Sequence, residues 1–427
     1  MDGRQRVVIL GGGFAGLTSA RALRRAPVQV TLVDRRNHHL FQPLLYQVAT
    51  GGLSPANIAA PLRAVLKRQG NARVLMAEVT GFDVPARQVR LGDGGLEYDM
   101  LIVATGSRHA YFGHDAWERF APGLKEIDDA IEIRRRVLLA FEIAERDADP
   151  ASRAALLTFV IVGGGPTGVE MAGAIAEMAH ATFTGNFRSI DPADARILLI
   201  EAEDRILPAY PPALQEKAAQ ALVRLGVSVR MGTRVTDVRG DSVVVAHGGR
   251  TETIPARTVI WAAGVQASPA GRLLAAATGA ATDRAGRVSV GDDLTLPGHP
   301  DIFVIGDLAN VRGSDGRPLP GLAPVAIQEG RYVARLIARR LDGGTMPPFR
   351  YHDPGTMATI GRAAAVAVIG PLRLSGYPAW LAWLFLHLME LVQFENRVLV
   401  FLQWTWNYIT RNRSARLITG GPAGPRE

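Results

Sequence analysis

The chain has 427 residues, 48% of them apolar and 21% charged, with a formal net charge of +8 and no cysteine. That length is too great for one ordinary core and predicts two or three domains, while the composition excludes a disordered chain. The missing thiols exclude disulfides, cysteine-held metals, iron–sulfur clusters and redox-active dithiols, and they leave the compartment open.

The basic residues are nearly all Arg, an excess that favours anionic surfaces. No stripe of Arg with interleaved aromatics points to nucleic acid, and no metal site is predicted. At the N-terminus, MDGRQRVVILGGG holds an apolar run of only four residues before the glycines. This is too short for a signal-peptide core and predicts a cytoplasmic address.

Residues 7–10 read as a buried parallel strand. Gly11, Gly13 and Gly16 then fit G-x-G-x-x-G, a helical pattern follows, and a second strand, VQVTLVD, ends in Asp34. The first glycine permits a tight turn, the second admits a pyrophosphate against the backbone, and the third lets helix and strand pack. The helix start offers unpaired N–H groups and partial positive charge to that pyrophosphate. Asp34 is placed to accept hydrogen bonds from an adenosine ribose.

Short β-like segments with a GDGG turn come next, then a returning strand in YDMLIVATGS. The order then repeats. LTFVIVGGGPTGVEMAGAIAEMA carries Gly163, Gly165 and Gly168, and the following strand ends in Glu201 after an insertion, HATFTGNFRSIDPADA. A second meander and the strand RTVIWAAGV close the copy. The recurrence is a domain duplication, too long for a solenoid repeat. Glu201, Glu203 and Asp204 would repel a 2′-phosphate and favour NADH over NADPH; Arg205 is the one residue that argues otherwise. Further on, HPDIFVIGDLAN predicts one more buried strand, with Asp307 beyond its carboxyl end. In GLAPVAIQEGRYVARLIARRL, Pro324 suits the first turn of a helix running through Leu341.

The tail, residues 379–409, is the most apolar and Trp-rich stretch. It has no uncharged run of the length a membrane span normally shows. His387, Glu390 and Gln393 recur every three residues, and FENR at 394–397 breaks the apolar pattern. This predicts two amphipathic helices lying on a membrane over residues 379–410, with Arg411, Arg413 and Arg416 beside anionic lipid. Core filling or a dimer interface is the other reading of the same stretch.

The ordered set GGGFAG with its acid, ATG, GGGPTG with its acid, AAG and IGD resembles the flavoproteins with two dinucleotide-binding domains. More narrowly, FQPLLYQVATGGLSP (41–55), GSRHAYFG (106–113), APGLK (121–125), residues 158–177 and RLITG (416–420) resemble type II NADH:quinone oxidoreductases. The resemblance implies an α/β fold of two Rossmann-like domains in the glutathione-reductase-like arrangement, with a C-terminal amphipathic helical membrane-association region. The expected divisions are 1–117 with 266–345 for FAD, 118–265 for NADH, and 346–427 for the membrane region.

By the same resemblance, Gly11, Gly13, Gly16, Asp34, Thr105, Gly106, Asp307 and Ala323 match FAD-contacting positions, Asp307 holding the ribityl chain. Gly165, Gly168, Glu201, Ala263 and Gly264 match positions around NADH. Glu170 would orient NADH or relay protons, although a carboxylate in the first helical turn is also simply favoured by the dipole. The helix start near Ala323 would stabilise reduced flavin, and Gln328, one turn in, faces either the acceptor pocket or solvent.

Many family members carry Ala-Gln-x-x-His-Gln at this helix start, where Pro324 and Ile327 replace the first Gln and the His. Those two donors to a quinone are therefore missing. The expected activity is a non-proton-pumping NADH:quinone oxidoreductase, peripheral on the cytoplasmic face of the membrane. A homodimer is a family expectation only. Two other readings stay open: a soluble NADH-dependent reductase of a ferredoxin-like partner, and an NADH-sensing flavoprotein.

Overall fold

The computed structural model describes residues 4–419. Residues 1–3 of the N-terminal stretch and Gly420, the end of the RLITG motif, lie outside the described residues. The chain divides into two compact units.

The first unit comprises the residues up to Leu40, Ala59–Arg108 and Val265–Pro354. Its centre is a six-stranded sheet ordered Thr295–Leu296, His299–Val304, Met100–Val103, Gln5–Leu10, Val28–Asp34 and Ala72–Met76. All neighbours pair in parallel except the first two strands. Val7, Val8, Ile9, Leu10, Leu101, Ile102 and Val103 are all buried, as a parallel sheet covered on both faces requires. Removing each such side chain from water stabilises the fold by about 1.5–3 kcal/mol.

Helices Phe14–Ala22 and Ala323–Leu341 cross closely on this sheet. Ser19 Oγ donates to Gly330 O across the crossing (3.2 Å), and a Cβ at Gly330 would overlap the Ala15 carbonyl. A meander of Val79–Asp83, Gln88–Leu91 and Gly94–Glu97 completes the first copy of the repeat.

The second unit comprises Phe41–Ile58, His109–Gly264 and the described residues from Gly355 onward. Its parallel sheet is ordered Val227–Arg230, Arg196–Ile200, Thr158–Val162 and Thr258–Trp261, with a meander of Arg234–Val238, Ser242–His247 and Arg250–Pro255. The duplication read from the sequence is thus present strand for strand.

The two units meet along the chain at Leu40, Ile58, Arg108, Gly264 and Pro354, against expected divisions after residues 117, 265 and 345. Residues 41–58 are drawn into the second unit because the tail is bonded to them: Trp404 Nε1 donates to Gln47 Oε1 (2.6 Å) and Asn407 Nδ2 to Gly52 O (3.0 Å). The C-terminal region is no separate body either. It opens with an unanticipated antiparallel sheet, Thr356–Gly361, Ala364–Ile369 and Leu372–Gly376. That sheet lies on helix Pro166–Glu177 so closely that a Cβ at Gly173 would overlap the Ile360 carbonyl oxygen.

Two helices follow, Tyr377–Glu390 and Phe394–Thr410. The break between them is at 391–393 rather than at FENR, which forms the first turn of the second helix with Gln393 as its N-cap. Their apolar side faces outward: Phe385 is 66% exposed, Phe394 77% and Ile409 72%. His387, expected on a polar face, turns inward instead. Its ring stacks on Trp383 (4.3 Å between centroids), its Nδ1 lies 2.8 Å from Trp383 O, and burial lowers its pKa to about 4. Among the described residues no helix is long and apolar enough to cross a membrane.

Candidate functional site

Each unit carries one glycine loop between a buried strand and a helix, and the two loops are built alike. Gly11 has φ +103° and Gly163 φ +108°; a Cβ at either would strike the strand beside it, at Ala104 and at Ala262. Only glycine takes that left-handed conformation without strain. Gly16 and Gly168 pass so near the carbonyls of Gly11 and Gly163 that a Cβ would overlap them. Gly13 and Gly165 are the N-caps of the two helices, neither with a side-chain cap, and the space where their Cβ would stand is open. The helix N–H groups are therefore left for an external anion.

The strand-end acids are also alike. Asp34 Oδ2 accepts the Gly12 N–H at 2.5 Å and Oδ1 accepts the Arg36 N–H at 2.7 Å. Glu201 Oε2 accepts the Gly164 N–H at 2.5 Å and Oε1 accepts the Glu203 N–H at 2.8 Å. A carboxylate has about four lone-pair positions, so each acid pins its own loop and keeps acceptors for ribose hydroxyls. The pinning role was not read from the sequence, although an acid ending the strand beside a glycine loop is the signal for it.

In the first unit, Ser107 Oγ donates to Asp307 Oδ2 (2.6 Å), and Thr105 Oγ1 lies 2.6 Å from Ser268 Oγ. Gly106 turns the chain at φ +67° and accepts the Ser268 N–H. Ala323 opens its helix behind Leu322, with no side-chain cap and no acid in the first turn. Glu329, on the same helix, is 1% exposed and accepts the Gly306 N–H at 2.5 Å. Burial lifts its pKa to about 8, and the nearby Asp307 adds to the rise. Two helix starts without a side-chain cap, behind Gly13 and Leu322, thus stand in the unit that carries the first glycine loop.

Gln328 does not stand free on this helix. Its Nε2 donates to His352 O (2.7 Å) and its Oε1 accepts the His352 N–H (3.0 Å). Both ends of the amide thus tie down the connection after the helix.

In the second unit, Ala263 and Gly264 follow the returning strand, Gly264 at φ +76° with Phe112 against it. Glu170 is the fifth residue of helix Pro166–Glu177, beyond the first turn, so the dipole does not explain it. It lines a cavity of about 320 Å³ with Tyr46, Gln47, Trp383, Trp404 and Arg413. Burial lifts its pKa to about 8, and the Thr359 N–H, 3.4 Å away, opposes the shift weakly. Tyr46 and Gln47 sit inside the motif at 41–55 that carries the family resemblance. Nothing in their spacing singled them out, because the cavity needs both the tail and this segment.

Residues 5–330 match the family model described as pyridine nucleotide-disulphide oxidoreductase. The type II NADH:quinone oxidoreductase Ndh of Mycobacterium tuberculosis is 47% identical over 431 residues, covering 99% of this chain and 92% of that protein. The chain belongs to the type II NADH:quinone oxidoreductase family. A second M. tuberculosis member, NdhA, is 47% identical over 98% of this chain and 90% of its own length. Among solved structures, NDH2 of Plasmodium falciparum in complex with NADH superposes with a TM-score of 0.88, covering 98% of this chain and 100% of that one, at 20% identity.

This type II oxidoreductase has no thiol in its sequence, so the disulphide in the wider family's name has no residues to form it here. At the tail, two of the three arginines expected beside lipid are turned inward. Arg413 pairs with Glu177 (3.0 Å) and donates to Thr50 O (3.2 Å), while Arg416 bonds Asn412 and the Arg413 carbonyl.

Proposed function

We propose that the first glycine loop holds FAD, that the second holds NADH, and that the cavity beside Glu170 admits the ring of a membrane quinone. The chain is an FAD-dependent, non-proton-pumping NADH:quinone oxidoreductase. Bound FAD supplies the hydride acceptance and the two-electron delivery. The protein's own residues place, orient and protonate.

Gly11, Gly13 and Gly16 seat the FAD diphosphate, Asp34 the adenosine ribose, and Thr105, Gly106 and Asp307 the rest of the chain toward the ring. The uncapped start at Ala323 favours negative charge on the ring. Gly165 and Gly168 seat the NADH diphosphate, Glu201 its ribose, and Ala263 with Gly264 the nicotinamide end. Glu170 holds a proton at neutral pH because burial lifts its pKa to about 8. NADH, one proton and quinone give NAD+ and quinol, so one proton is needed beyond the hydride; a protonated carboxyl on the cavity wall supplies it and is re-protonated from solvent. Gln328 keeps the helix joined to the 350s rather than gripping the acceptor.

The outward apolar side of helices Tyr377–Glu390 and Phe394–Thr410 lies on the membrane, with the nucleotide sites on the cytoplasmic side. The observation that carries this is its make-up: Leu402 and Trp406 are 58% and 59% exposed, beside the still larger exposure of Phe385, Phe394 and Ile409. A patch of this kind marks an interaction surface. A ferredoxin-like partner has no use for it. A homodimer covering the same face is the competing account and predicts a protein soluble without detergent. The test is flotation with lipid vesicles and NADH-driven quinone reduction on them. Changing Phe385, Phe394 and Ile409 together to Ser should release the protein from the vesicles. Continued flotation of that variant would overturn the assignment.

A further inference from the structure

The cavity in the second unit has a hydrogen-bond chain along one wall whose direction is fixed by its first member. Trp404 Nε1 lies 2.6 Å from Gln47 Oε1, and Gln47 Nε2 lies 2.9 Å from the Tyr46 hydroxyl. An indole N–H can only donate. It therefore selects the Gln47 amide orientation with the oxygen toward Trp404. That leaves the Gln47 NH₂ to donate to Tyr46, so the Tyr46 oxygen receives and its own proton must go elsewhere. Among the described residues no group accepts that proton. Tyr46 is only 7% exposed, and it lines the cavity.

A second donor is in the same position. Trp383 is 2% exposed, lines the same cavity, and its indole N–H has no partner among the described residues. A buried donor without an acceptor is costly, about 1–3 kcal/mol, and two of them on one cavity call for an acceptor-rich guest. A molecule bearing carbonyl oxygens on an apolar ring fits: Trp380, Leu384 and Ala174 give the lining its apolar part, while Glu177, Arg362, Arg411 and Arg413 give it charge, Arg413 being paired with Glu177. Burial holds the Tyr46 hydroxyl protonated at any working pH.

We propose that the Tyr46 hydroxyl donates a hydrogen bond to a carbonyl oxygen of the quinone, with Gln47 and Trp404 as positioning residues that aim it. This deepens, and rests on, the assignment of the cavity to quinone. It also supplies a donor in a chain where Pro324 and Ile327 offer none. Because Trp404 belongs to helix Phe394–Thr410, the donor is set by a residue of the proposed membrane-lying helix.

The test is a double-mutant cycle on full-length, flavin-loaded protein, with a short-chain quinone analogue and ferricyanide as alternative acceptors. Ferricyanide has no carbonyl to bind. Tyr46→Phe should lower the ratio of quinone to ferricyanide kcat/KM about three- to tenfold, the scale of one hydrogen bond. Trp404→Phe should lower it by less, about two- to threefold, because the amide is then free to flip. The double variant should be no worse than Tyr46→Phe alone, since Trp404 acts only through Tyr46. Additive losses, or an unchanged ratio in Tyr46→Phe, would overturn the proposal while leaving quinone reduction by the parent protein intact. Absence of quinone reduction by the parent protein would instead overturn the cavity's assignment, and this proposal with it.

Discussion

The two glycine loops share their chemistry down to individual hydrogen bonds, yet the surroundings of their helices differ. In the first unit the helix Phe14–Ala22 packs against a second helix whose open start lies at Ala323 and whose Glu329 is sealed inside. In the second unit the corresponding helix carries Glu170 to the edge of a cavity and supports the C-terminal sheet through Gly173. The duplicated part binds nucleotide. On the proposed assignment, the parts that were not duplicated decide what each nucleotide does: one copy keeps its cofactor, and the other borders the cavity proposed for the acceptor.

The same substitution in each loop gives the largest separation between the copies. Gly11→Val should yield protein without flavin. Gly163→Val should keep flavin, visible in the absorption spectrum, and raise the KM for NADH about a hundredfold or more, since the overlap costs roughly 3 kcal/mol. If both variants lost flavin equally, the division of labour between the loops would be wrong.

The sealed Glu329 and the partly buried Glu170 give the next effect. Glu329 has an ordinary pKa of 4.5 and a folded value near 8. Between those values the folded protein holds a proton that the unfolded chain releases, so stability falls as pH rises from about 5 to about 8, by at most ~1.4 kcal/mol per pH unit. Glu329→Gln should flatten the fall in Tm across that interval. Glu170→Gln should flatten it less, because Glu170 borders a cavity. An unaltered slope in Glu329→Gln would show that its proton is not retained.

A smaller effect is expected at the strand-end acids. Glu201→Gln removes the charge proposed to face the nucleotide ribose, and should narrow the preference for NADH over NADPH about tenfold, roughly 1.4 kcal/mol. The ratio of kcat/KM values for the two nucleotides measures it. An unchanged ratio would leave Glu201 with loop pinning alone.

The contrast also explains what the sequence disclosed. Glycines, buried strands and terminal acids act on chain neighbours, so 6–34 and 158–201 were readable at residue level, along with the helix 323–341. The sheet 356–376 escaped because its burial depends on a remote helix. His387 departs from the expected polar face because a helical pattern shows which residues share a face, not which face is covered, and Arg413 lies beyond the helix, where its partner is remote in the chain. Their partners here are Trp383 and Glu177. The sequence leaves Gln328 facing either the acceptor pocket or solvent, because its partner, the His352 backbone, has no side-chain signature.

The most direct test is anaerobic double mixing. The protein is first reduced with stoichiometric NADH, and then mixed with a ubiquinone or menaquinone analogue while the flavin absorbance is followed. Rapid bleaching by NADH, then full reoxidation by quinone at a rate matching turnover, is the expected result. Flavin that stays reduced in the presence of every quinone would contradict the account.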